Sequence, residues 1–136
     1  MHELVLRIKK PELCYVFAEN AVSRGHEDLA LEAYRRAVDL KAEQHEGVTE
    51  SEQLALKSFY AYEEALSYGQ RKRKRATGTW QLAKKIGILP TLLKRAEGKA
   101  AEDVQKTLQA LKLEDYSFQV IAKACEHDLQ QVAQAA

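Results

Sequence analysis

Proline and cysteine are scarce in this chain, at two residues each, and no apolar run approaches the roughly 20 residues that a membrane-spanning helix requires. The prolines are Pro11 and Pro90, and no Ser/Gly-rich linker interrupts the chain, which points to a folded and mostly helical protein. Cys14 and Cys125 lie far apart, each at an apolar position of a helical pattern. They read as two buried thiols in a reducing cytoplasm rather than as a disulfide. The N-terminal MHELVLRIKK has no apolar run long enough for a signal sequence, so a cytoplasmic protein is expected. Also missing are a Cys-x-x-Cys pair, a Gly-rich phosphate loop and a nucleophile elbow. His2, His26, His45 and His127 are scattered, and none has a second His four residues away. Glu43, His45 and Glu46 cluster at a helix end, but that spacing does not bring all three to one face. No catalytic residue, metal site or cofactor is expected, and the protein reads as non-enzymatic.

What is present is a globular composition. The 136 residues are 46% apolar and 30% charged, enough to bury one core in a single domain spanning 1–136. Residues 2–10 alternate loosely and suit either a short strand or a helix lead-in. A helix from about Pro11 to Arg24 follows, with Leu13, Val16, Phe17 and Ala21 as its inner face and Gly25 as its stop. A second runs from about Glu27 to Glu46, with Glu27 and Asp28 at the positive end of its dipole and Leu29, Ala33, Ala37 and Leu40 as its stripe. The resulting hairpin has the proportions of a tetratricopeptide unit, but no second copy recurs at a fixed period, so a repeat protein is excluded. Thr49 and Glu52 have the spacing of a capping box. They open a third helix, about Ser51 to Tyr68, that buries Ala55, Phe59, Tyr62 and Leu66 and completes an 11–68 section. C-terminal helices are expected over 100–111 and from about Asp115 to Val132. The fold class is therefore all-α, a single-domain bundle of about six or seven short helices.

Charge is distributed very unevenly. The stretch from Arg71 to Lys99 holds ten Lys or Arg residues against the single acid Glu97, a net +9, while the remainder of the chain sums to −8. Residues 31–70, just upstream, carry a net −4. A concentrated positive segment beside an acidic one implies a polyanion or an acidic surface as its partner. Glu63 and Glu64 are the best-placed pair of carboxylates, but adjacent helical residues point about 100° apart, so they do not share a substrate proton. Pairing with the basic segment is the simpler role for them.

Within the basic segment, QLAKKIGILPTLLKRAEGK has helix–turn–helix spacing. Ala83 is the small residue that lets a second helix cross closely, and Gly87 tolerates the positive φ of the bend. Leu82, Ile86, Ile88, Leu93 and Ala96 have inward spacing, and Pro90 is allowed at a helix start. A helix from Thr79 to Ile86 and another from Pro90 to about Glu97 follow from this pattern. These twenty or so residues, 79–98, resemble the helix–turn–helix of phage-repressor-type DNA-binding domains. That resemblance implies a recognition helix with polar residues at its start, whereas this one begins Leu89-Pro90-Thr91-Leu92, and Leu92 is a poor base reader. Contact with phosphates is the better-supported use. Arg71, Lys72, Arg73, Lys74, Arg75, Lys84 and Lys85 suit phosphates, Thr77 and Thr79 can add hydroxyls, and Thr91, Lys94 and Arg95 can face a groove. Trp80 is either a core anchor or a stacking surface. Helix–Gly–helix corners also occur in bundles that touch no DNA.

A broader likeness covers most of the chain after residue 11. GQRKRKRATGTWQLAKKIGI, with YAYEEAL upstream, LEDYSFQVIA downstream, and Asn20-Ala21, Gly25 and Asp28-Leu29-Ala30 before them, resembles a group of uncharacterised small all-helical bacterial proteins. The resemblance implies no activity and carries no catalytic residue. Gly78 stands where that group usually has Arg. Taken together, these features predict a DNA-binding protein that uses its basic helix–turn–helix-like segment mainly through phosphate contacts, with double-stranded DNA the expected partner. The hairpin and third helix then serve as scaffold or as a homodimer contact. The alternative is a protein–protein interaction or structural module whose basic segment pairs with an acidic protein surface. No membrane partner is expected under either reading.

Overall fold

His2 and Pro11 start the first two helices by different means. In the computed structural model, which describes residues 1–98 and 101–135, His2 Nδ1 accepts the Leu4 N–H (3.1 Å) at the head of α1 (Glu3–Leu6). The lead-in is thus a single helical turn, not a strand, and it buries Val5 completely. Pro11 occupies the first position of α2 (Pro11–Ser23), where a missing N–H removes no intrahelical bond. Gly25 (φ +78°) then turns the chain into α3 (Glu27–Glu43).

Alanines set how these two helices meet. Cys14, Ala18 and Ala21 of α2 pack on Ala30, Ala33, Ala37 and Leu40 of α3. The inner face of α2 is therefore rotated from the expected one. Leu13 and Val16, predicted to point inward, are 52% and 54% exposed. Small side chains let two helix backbones approach closely, and the larger pair is turned outward as a result. Arg36 ties the end of α1 and the residues after it to α3, its Nη2 donating to the Leu6 carbonyl (3.4 Å) and its Nε to the Ile8 carbonyl (3.2 Å).

The chain divides into two compact units, Met1–Glu46 and Gly47–Ala136, so the third helix groups with the basic segment rather than with the hairpin. That helix, α4 (Glu50–Ser67), is opened by the capping box its sequence predicts. Glu52 N donates to Thr49 Oγ1 (3.1 Å), and Thr49 N donates to Glu52 Oε1 (2.9 Å). It packs on α6 (Ile88–Glu97), α7 (Glu102–Ala110) and α8 (Phe118–Ala124), while α5 (Thr77–Ile86) packs on α6. Phe59, Leu56, Leu92 and Leu113 are almost fully shielded and form the centre of this unit.

The corner between α5 and α6 is tighter than the sequence suggested. A single residue, Gly87, separates the helices, and α6 begins at Ile88, not at Pro90. Gly87 adopts φ +100° and ψ 164°, a region that is essentially confined to glycine. Pro90 still falls in the first turn of α6, where its missing N–H is harmless. The three- or four-residue turn of a helix–turn–helix is absent here.

The C-terminal region departs further. Helix α7 stops without a glycine, because Lys112 takes the left-handed conformation (φ 57°). Leu113 N then donates to the Leu108 carbonyl and Lys112 N to the Gln109 carbonyl, which makes a Schellman stop closed by two buried leucines. The single helix expected from Asp115 to Val132 is instead a 3-10 turn (Glu114–Tyr116), α8 and α9 (Glu126–Ala135). Ser117 is the reason for the first break. It is extended, and its side chain caps α8 by accepting the Val120 N–H (3.3 Å). At the far end, Ser51 Oγ donates to Asp128 and Cys125 Sγ to the Ser51 carbonyl (3.7 Å), joining α9 to the start of α4.

All regular elements among the described residues are helical, and none of those helices is long and apolar enough to cross a membrane. Lys99, the last of the ten cations, and Ala100, the expected start of the 100–111 helix, lie outside the described residues, as does Ala136.

Candidate functional site

The last two turns of α4 place Glu63, Glu64 and Ser67 within about 100° of one another on the helix surface. Both carboxylates are 3% exposed. They sit near the negative end of the helix dipole, so buried charge there requires cations or N–H donors close by. The basic run supplies them. Arg73 Nη2 donates to Glu64 Oε1 (2.5 Å). Glu63 Oε2 accepts from three donors: Arg75 Nε (3.2 Å), the Ala76 backbone N–H (2.8 Å) and Trp80 Nε1 (2.6 Å). Ser67 Oγ accepts the Lys74 N–H (2.9 Å) and donates to the Lys74 carbonyl (3.3 Å). The segment from Arg73 to Ala76 is thereby fastened to α4 at each of its four residues.

The five-residue cation run is consequently split. Arg73 and Arg75 compensate buried carboxylates, and Arg75 also lies 5.8 Å over the Trp80 ring. Arg71, Lys72 and Lys74 project from the loop, are exposed, and make no ion pair among the described residues. Trp80 is half-buried. Its ring meets Phe59 edge-on (5.6 Å, 89°) and Tyr60 at 4.9 Å, so it anchors α5 to α4 and is not an open stacking platform. Tyr60 has its phenol pKa pushed upward, chiefly by burial and secondly by the Glu63 charge, with Arg75 opposing.

On α5, Thr77, Gly78, Gln81, Lys84 and Lys85 share one exposed stripe at helical spacing. Arg75, Thr77, Trp80, Gln81 and Lys84 line a shallow groove of about 330 Å³. One loop cation, Arg75, and one helix cation, Lys84, therefore flank the same groove. The expected contact set loses two members. Thr79 is 1% exposed and Thr91 fully buried, with Thr91 Oγ1 donating to the Gly87 carbonyl (2.7 Å). Neither hydroxyl can reach a phosphate from there. Leu92, the residue ill-suited to reading a base, is fully buried in the core.

Of the remaining pair, Arg95 reaches back to α5, its Nη2 3.6 Å from the place a Cβ on Gly78 would take. Lys94 is exposed and Arg95 half-buried, and both line a separate pocket with α7 and the start of α8. Sequence reasoning paired the acidic helix with the basic segment but did not single out Ser67 or this pocket. The signal for Ser67 was its position four residues after Glu63, on the same face. The pocket had none, because its walls come from helices far apart in sequence.

Among the described residues, no group of three or more His, Cys, Asp or Glu is placed to hold a metal ion. No protein-family model, curated protein or solved structure matches this chain.

Proposed function

We propose that the exposed cations of this surface bind the phosphate backbone of nucleic acid, with double-stranded DNA as the partner and no chemical step. The observation that carries this reading is the groove in which Arg75 of the loop meets Thr77, Gln81 and Lys84 of α5, with Arg71, Lys72 and Lys74 exposed in the same loop. Burial of Thr91 and Leu92, and the one-residue corner, argue for backbone contact over base readout. Trp80, engaged by Glu63, Phe59 and Tyr60, points the same way.

The test is fluorescence anisotropy of labelled duplex DNA titrated with the protein across a salt series. Five phosphate contacts give a log–log slope of about −4 to −5, at about −0.9 per contact. Replacing Arg71, Lys72 and Lys74 by alanine should flatten the slope by about 3, and Lys84→Ala with Lys85→Ala by about 2. No binding at 20 mM salt, on the order of a 20 Å screening length, ends the proposal.

A second reading is favoured by the ion pairs themselves. Because Arg73 and Arg75 already meet Glu64 and Glu63, the run also serves as an internal tie, and its exposed remainder suits an acidic protein surface. Binding of an acidic polypeptide such as poly-glutamate with the same variant profile, and no binding to DNA, would favour that reading.

A further inference from the structure

A pocket of about 190 Å³ lies among α4, α6, α7 and the start of α8. Its lining includes Lys94 and Arg95 on one side and Tyr62, Phe118, Gln105 and Gln119 elsewhere, and no Asp or Glu is among the described residues that line it. Arg95 Nε is shielded from solvent yet has no hydrogen-bond partner among the described residues. A shielded guanidinium N–H without an acceptor is costly, so a charged donor of this kind normally has an anion or a fixed dipole close by. Gln105 Nε2 donates to Gln119 Oε1 (3.2 Å), which holds two amides together at the wall. The rings of Tyr62 and Phe118, 5.2 Å apart, supply an apolar surface.

We infer that this pocket binds a small organic anion, with its carboxylate or phosphate against Arg95 and Lys94 and a flat apolar body over Tyr62 and Phe118. Both halves of that description are needed. A bare inorganic ion leaves the aromatic wall unused, whereas an uncharged ring leaves the Lys94 and Arg95 charges at the pocket without a counter-ion. Size limits the ligand further. A cavity of about 150 Å³ accommodates benzene, and drug-sized ligands occupy roughly 300–1,000 Å³, so this pocket suits one ring bearing one acid group. The inference is independent of nucleic-acid binding, since Arg71–Arg75 and Lys84 do not line the pocket.

The experiment is a protein-observed ¹⁵N–¹H NMR titration of the full chain with benzoate and phenyl phosphate. Benzamide serves as the uncharged isostere and inorganic phosphate as the bare anion. Benzoate or phenyl phosphate should shift the Gln105 and Gln119 side-chain signals saturably, at least tenfold more tightly than benzamide or inorganic phosphate. Arg95→Gln should reduce the ring-bearing anion to the benzamide level. If Arg95→Gln loses the native spectrum, the exposed Lys94→Gln carries the test and should weaken binding about threefold. Equal binding of benzoate and benzamide, shifts confined to the Arg71–Lys85 surface, or wild-type affinity in the variant that folds would each overturn the assignment.

Discussion

Glu63 is the residue whose removal most directly tests how the basic loop is held. One of its oxygens accepts from the Ala76 N–H, the Trp80 indole and Arg75. Arg75 is 71% exposed at its side chain, so its ion pair adds little to stability. The Ala76 N–H is buried and the Trp80 indole half-buried, and each loses up to about 1–3 kcal/mol when its acceptor disappears. Relief of the carboxylate's own burial offsets part of that loss. Glu63→Ala should therefore lower the unfolding free energy by roughly 2–4 kcal/mol. Glu63→Gln keeps an oxygen in place but removes the charge that about doubles such bonds, and should cost about 1–2 kcal/mol. Trp80→Phe deletes one donor, so Glu63→Gln should cost about 0.5–1 kcal/mol less in that background. Urea denaturation followed by circular dichroism measures these differences. Trp80 is the only tryptophan, so its emission gives a local readout and should shift to the red in Glu63→Ala. Stability within about 0.5 kcal/mol of wild type, with unchanged emission, would refute the account of Glu63 as the loop's anchor.

Two further outcomes follow from the same unit. Gly87→Ala should destabilise the protein by about 1–3 kcal/mol in the same urea assay. A Cβ at this position meets Pro90 only at ordinary contact distance, so the penalty comes from φ +100° and not from crowding. Tyr60, whose folded pKa is raised by burial and Glu63, binds its proton more tightly folded than unfolded. Its contribution to stability is thus complete below the ordinary tyrosine pKa near 10 and is lost as pH rises through the higher folded value. Tyr60→Phe should remove this part of the alkaline decline, and absorbance at 295 nm should show one late-titrating phenol missing.

Elements whose ends carry their own chemistry were legible in the sequence. The Thr49/Glu52 box, Pro11 and Gly25 placed three helix boundaries to within a residue or two, because each acts through backbone groups next to it. Long-range choices were not. Which face of α2 turns inward depends on the alanines of α3, and the outward turn of Leu13 and Val16 cannot be read from α2 alone. The stop at Lys112 uses a left-handed residue that has a Cβ, and the break at Ser117 depends on a side chain preferring its own cap to a continuous helix. At the candidate site, the charge imbalance identified the basic loop and its acidic neighbour. Assigning particular arginines to particular carboxylates needed the geometry at the end of α4, as did the burial of Thr79 and Thr91.

The fastening of Arg73–Ala76 to α4 also changes the energetics of any later association. A mobile basic loop gives up conformational entropy when a polyanion orders it, roughly 1–2 kcal/mol for each backbone residue fixed. Here that ordering takes place during folding, through bonds to Glu63, Glu64 and Ser67. The remaining exposed cations then meet a partner with little further entropy to lose on their scaffold. The two buried carboxylates subtract from the net positive charge of the surface, and in exchange they make what is left of it preorganised.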